Sequence, residues 1–104
     1  MTDPHEPLRE LTLQAAKDTM LSSNPNDTLQ HPSFQQLVSI GRGAATDSLI
    51  AFLQEDRHEY GWVPLLALFK LWGEEGPAIP DEDAGRYDRL REHWLNWSLA
   101  RTSP

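Results

Sequence analysis

Cysteine is absent from the 104 residues of this chain. Disulfide bonds, thiolate catalysis and cysteine-bound zinc are therefore excluded. The absence fits a reducing compartment, and the chain is expected to be cytoplasmic. Long apolar runs are also missing. The longest lies between Trp62 and Trp72, about eleven residues interrupted by Lys70, whereas a membrane-spanning helix needs about 20 apolar residues. The opening MTDPHEPLRE has neither the basic nor the apolar stretch of a signal peptide. No run alternates with period two in β-branched residues, so no strand is expected.

Bases are scarce as well: 9 Lys and Arg stand against 16 Asp and Glu, a formal charge of −7. Free DNA repels such a surface, and binding it would need a basic stripe. The nearest approach is Arg86, Arg89 and Arg91, diluted by Asp88 and Glu92. Nucleic acid is not an expected partner, and neither is a membrane.

Clustered chemistry is the last absence. His5, His31, His58 and His93 lie too far apart in sequence for a helical zinc motif. The adjacent pairs His58-Glu59 and Glu92-His93 point in different directions on a helix. Ser22, Ser23, Ser39 and Thr46 offer hydroxyls without a recognisable base or nucleophile turn. Gly41-Arg42-Gly43 follows no strand, so a dinucleotide loop fails. No catalytic residue, metal ligand or cofactor is assigned, and an enzyme is not expected.

What is present is helical punctuation. Helices are expected over Pro7–Leu21, Pro32–Ile40, about Ala44–Gln54, Trp62–Trp72, and from Asp81 or Gly85 to Arg101. Pro7, Pro32 and Pro64 suit first turns, and Gly41 and Gly73 suit stops. The first helix carries a weak stripe of Leu8, Leu11, Ala15 and Met20, and Ser22–Asp27 breaks it. The fourth is apolar on nearly every side, through Leu65, Leu66, Leu68, Phe69, Leu71 and Trp72, which marks the most buried helix. The last has the clearest stripe: Tyr87, Leu90, Trp94 and Trp97. These make an all-α compact bundle of about five short helices, one domain over 1–104, with residues 1–6 and 102–104 expected to be flexible. His31 is expected to cap or position the second helix.

The surface then decides what the bundle is for. Residues 71–83 hold Glu74, Glu75, Asp81, Glu82 and Asp83 and no base. Such a loop either keeps a small protein soluble or meets a basic partner. Trp72 and Trp94 are expected in the core, while Trp62 and Trp97, near element ends, are candidates for exposed aromatic anchors. Arg57, His58, Tyr60 and Trp62 form the most interface-like cluster, or else a loop packed back on the core.

Two resemblances accompany this reading. LVSIGRGAATDSLIAFLQ resembles a HEAT-like helical hairpin. His31-Pro32, Phe34-Gln35, Ile40-Gly41, Leu49-Ile50, Trp62, Ala67-Leu68, Gly73-Glu74, Pro77, Ile79-Pro80, Gly85, Trp94-Leu95 and Trp97 resemble a family of small bacterial helical proteins of no settled function, with the pattern HPxYQ…IIxxG…HWFxAL…TGExPVP…WLxWG. Pro64 and Leu71-Trp72 depart from it. The resemblance implies a small, single-domain cytoplasmic protein of antitoxin-like character. The expected function is a small acidic interaction module, antitoxin- or inhibitor-like, whose partner is another protein, basic and encoded by a neighbouring gene. The alternatives are a self-associating helical adaptor and, last, a small enzyme using loop carboxylates.

Overall fold

The computed structural model describes residues 5–21, 30–55 and 58–102. Five α-helices follow in chain order: α1 (Glu6–Leu21), α2 (Pro32–Ser39), α3 (Arg42–Glu55), α4 (Val63–Trp72) and α5 (Tyr87–Thr102). Single 3-10 turns at His58–Tyr60, Gly73–Glu75 and Asp81–Asp83 lie in the connections. No strand occurs among the described residues, and the fold is an all-α bundle. No described helix is long and apolar enough to cross a membrane. The expected break at Ser22–Asp27 lies outside the described residues, as do residues 1–4 and 103–104 and the Met20 side chain. His5 and Glu6, expected to be loose, are placed: His5 Nδ1 lies 2.6 Å from Ser48 Oγ, and its ring meets Phe52 edge-on.

Local chemistry explains the boundaries. Gly41 has φ +97°, a conformation other residues rarely adopt. Its N–H donates to the Val38 carbonyl at 3.1 Å, closing α2, and its own carbonyl accepts from Ala45 N–H at 3.1 Å, opening α3. One glycine thus stops one helix and starts the next, so α3 begins at Arg42 rather than at Ala44. Pro64 sits in the first turn of α4, buried, where no N–H is required of it. His31 does hold the N-cap position of α2, but its side chain makes no capping bond, and Nε2 is buried without a partner. The last helix starts at Tyr87; Asp81–Asp83 form only a single turn before it.

α1 packs along α2, α4 lies against α1, α2 and α3, and α3 also meets α5. The molecule is 22 Å across its thinnest dimension, about two helix diameters. α2 and α3 join at Gly41, yet each packs mainly on other helices, so the HEAT-like junction turns a corner rather than making a paired repeat unit. Leu37, Leu49, Leu53, Leu65 and Leu68 are wholly covered. Full burial of each such side chain is worth about 1.5–3 kcal/mol.

Two stripes differ from the sequence expectation. On α1, Thr12 joins Leu8, Ala15 and Ala16 in the core. Its hydroxyl donates to the Leu8 carbonyl at 2.7 Å, which removes the penalty of burying it. On α4, Ala67 is buried and Phe69 is 37% exposed, because the covered faces turn toward α1, α2 and α3 and leave Phe69 on the side toward α5.

Candidate functional site

α4 and α5 meet through rings rather than through close backbone contact. Trp62 contacts Tyr87 at 5.6 Å between centroids, Phe69 contacts Trp94 at 5.4 Å, and Trp72 contacts Trp97 at 5.0 Å. All three are edge-to-face, the geometry that the ring quadrupole favours. In each pair the α5 residue lies 25 positions after its partner, which is the N-cap of α4 for Trp62 and a residue of α4 for the other two. A constant offset means that the two helices run in the same direction. The chain must therefore return between them, and residues 73–86 make that crossover.

The seam is graded. At its start Trp62 is 42% exposed. In the middle Trp94 is wholly buried, with Trp97 edge-on at 5.0 Å on a further side. At the far end Trp72 donates its indole N–H to Thr46 Oγ1 at 2.8 Å. Arg42 and Arg101 place guanidinium carbons 4.6 and 4.4 Å from the Trp72 ring centre, and Arg101 also lies 4.7 Å from that of Trp97. Three helices are thus joined at one aromatic-cation cluster.

The crossover is tied at two points. Arg42 bonds Glu75 through its guanidinium and donates from Nε to the Leu71 carbonyl at 2.7 Å. His93 Nε2 lies 2.9 Å from the Asp83 carboxylate, so the ring N–H donates to it. Between these ties Gly76 rests on the Trp94 ring; a Cβ there would stand 2.6 Å from a ring carbon. Glu74, Asp81 and Glu82 are exposed, with no partner among the described residues.

The sequence candidates thus part company. Of the acidic loop, Glu75 and Asp83 are anchors, and Glu74, Asp81 and Glu82 face solvent. Of the cluster before α4, Arg57 lies outside the described residues and His58 is exposed. Tyr60 points inward at 1% exposure, stacked on Phe52 at 5.1 Å. Its hydroxyl bonds Arg9 and, at 3.1 Å, Glu55, tying the turn to α1 and α3. Tyr60 is therefore unavailable as a contact residue, and Trp62, two positions on, is the exposed one. Trp97 is half-buried in the seam.

Sequence reasoning missed Phe69, Tyr87, Arg42 and Arg101 as members of one arrangement. The signal was there for the rings: 62, 69, 72 and 87, 94, 97 repeat the same seven-then-three spacing. Nothing in the sequence marked the arginines.

Elsewhere, Asp18 accepts from Ser33 Oγ at 2.7 Å and Gln14 Nε2 at 2.9 Å. The Ser33 bond first, then the Gln14 bond and the charge of His31, hold the Asp18 carboxyl below the usual 3.8. This group fastens α1 to α2 and lies away from the seam. No group of three or more metal-ligating side chains occurs among the described residues. No known protein family, curated protein or solved structure matches the chain.

Proposed function

We propose that the protein is a small acidic interaction module that binds and neutralises or regulates a basic partner protein, in the manner of an antitoxin or inhibitor. The observation that carries this reading is the tied crossover. Arg42–Glu75 and His93–Asp83 hold it near both ends, so Glu74, Asp81 and Glu82 are offered from a restrained segment. Restraint lowers the ordering cost of binding. Carboxylates held this way steer a basic surface into contact and reject acidic ones. The exposed edge of Trp62 supplies the apolar anchor that charge alone lacks. The −7 charge and the resemblance seen in the sequence point the same way.

The test is co-purification of the tagged chain with the product of its neighbouring gene from native extract. The complex should dissociate in about 0.5 M salt, where the Debye length is only a few ångströms. It should be lost in the triple variant E74K/D81K/E82K and weakened in W62A. Recovery of the chain alone and monomeric from its own cells would overturn the reading.

One observation favours self-association as a second reading. Trp62, Leu66 and Phe69 fall on one side of α4, and the first and last are among the large exposed apolar residues. Light scattering from micromolar to millimolar concentration decides it, and a monomer throughout removes it.

A further inference from the structure

Charge and apolar surface are laid out unevenly across the outer face of α4. At about 100° per residue, that face runs in the order Trp72, Phe69, Trp62, Leu66, Lys70. Trp72, Phe69 and Trp62 reach the rings of α5, so Lys70 stands on the flank away from α5. Trp62 and Phe69 are exposed, and Leu66 beside them is half-buried. Lys70 is exposed and has no partner among the described residues. The other flank is acidic. Phe69 meets the Trp94 ring, and Gly76 lies against the outer edge of its six-membered part. Asp83 is bonded to His93, the residue before Trp94. The crossover therefore borders the apolar row on the α5 side, and it carries the unpartnered Glu74, Asp81 and Glu82.

The row also has a register. Residues 62, 66 and 69 follow the i, i+4, i+7 spacing over about 10 Å, which a second helix matches with an apolar stripe of its own. Strand addition would need a sheet edge, and no strand occurs among the described residues. We infer that this face seats an amphipathic helix of the partner. Its apolar stripe lies on Trp62, Leu66 and Phe69, its lysines or arginines face the crossover, and an acidic residue faces Lys70. This rests on the reading of the chain as a module for a basic partner, and it names the element through which that partner docks. Charge selects such a helix over a second copy of the chain, because copies that each carry −7 repel.

The test uses a fluorescein-labelled synthetic peptide of about 15 residues, too short to hold a helix alone. It has leucines at i, i+4, i+7 and i+11, lysines on one flank of that stripe and glutamates on the other. Fluorescence anisotropy should give a Kd below about 100 μM, and circular dichroism should show the peptide gaining helix on binding. A peptide of the same composition with leucine at every second position should bind at least about tenfold more weakly. L66A/F69A should weaken the first peptide by at least about tenfold, and K70E by about two- to fivefold. If L66A/F69A fails to fold, W62A takes its place, with the same loss required. Equal binding of the two peptides, or binding indifferent to the row variants, would overturn the helix seat. A dimer of the chain that L66A/F69A abolishes would overturn it in favour of a second copy. A complex with the neighbouring gene's product that survives L66A/F69A but is lost in E74K/D81K/E82K would overturn the seat and leave the acidic module standing. The expected peptide binding supports the seat even where native extract yields the chain alone, the result that overturns the module.

Discussion

Trp94→Phe and Trp72→Phe make the same chemical change at two points of one seam, and the structure ranks them against burial. Trp94 is wholly covered, whereas Trp72 is only partly so, and burial alone would make the first change the costlier. Phe at 94 removes the equivalent of two buried ring carbons, about 1.6 kcal/mol at roughly 0.8 kcal/mol per group. It also removes a buried donor with no acceptor, which returns about 1–3 kcal/mol. The void falls beside Gly76, on a crossover able to settle inward, which keeps the cavity cost small. The net change is within about 1 kcal/mol of zero. Phe at 72 breaks the 2.8 Å bond to Thr46, leaving a hydroxyl in a residue only 3% exposed without that donor. It also weakens the contacts with Arg42 and Arg101. About 1 kcal/mol for the hydrogen bond and about 0.5 for each cation contact give a loss of about 2 kcal/mol. Urea unfolding followed by far-ultraviolet circular dichroism measures both, with m required to stay constant. Trp72→Phe should lower Tm by about 8–16 °C, and Trp94→Phe by at most half of that. A loss of 3 kcal/mol or more in Trp94→Phe, or of less than 0.5 in Trp72→Phe, would refute the reasoning.

Three further outcomes follow from other parts of the fold. Tyr60→Phe should cost about 1–2 kcal/mol, since its buried hydroxyl bonds Arg9 and Glu55; an unchanged urea midpoint would contradict the tie between the turn, α1 and α3. Gly41→Ala meets no atom within 4 Å, so steric crowding is absent and the +97° torsion alone should destabilise by about 1–2 kcal/mol; a stabilised variant would contradict that backbone conformation. Because the Asp18 carboxyl is held below 3.8, its contribution is present above that pH and is lost as pH falls through the lower folded value. Thermal melts from pH 5 to pH 2.5 should show Ser33→Ala clearly below wild type at the upper end and the gap closing at the lower.

Much of the architecture could be read from local rules, and the failures have a common cause. Helix ends depend on residues next to one another, so Pro32, Gly41, Pro64 and Gly73 marked them within a residue or two. Which face is buried depends on neighbours distant in sequence. Thr12 looked polar until its own helix supplied an acceptor. Phe69 looked like core until the covered side of α4 proved to be elsewhere. The ties Arg9–Glu55, Arg42–Glu75 and Asp83–His93 were not legible at all, because a side-chain bond between remote residues exists only after the helices dock. The acidic loop was visible as charge. That two of its five carboxylates are anchors and three are free required the fold.

The parallel run of α4 and α5 has a consequence for chain economy. Returning from the end of one helix to the start of the next means covering the length of α4, about 15 Å for the ten steps from Trp62 to Trp72. Five extended residues would span that distance, whereas 73–86 supplies fourteen. The surplus is slack that topology does not demand. It is taken up in two 3-10 turns, and those turns carry all five acids of the loop. Deletions that spare Gly76, Glu75 and Asp83 should therefore leave the helices in register while removing the three solvent-facing carboxylates, which separates the load this segment carries from the bridge it forms.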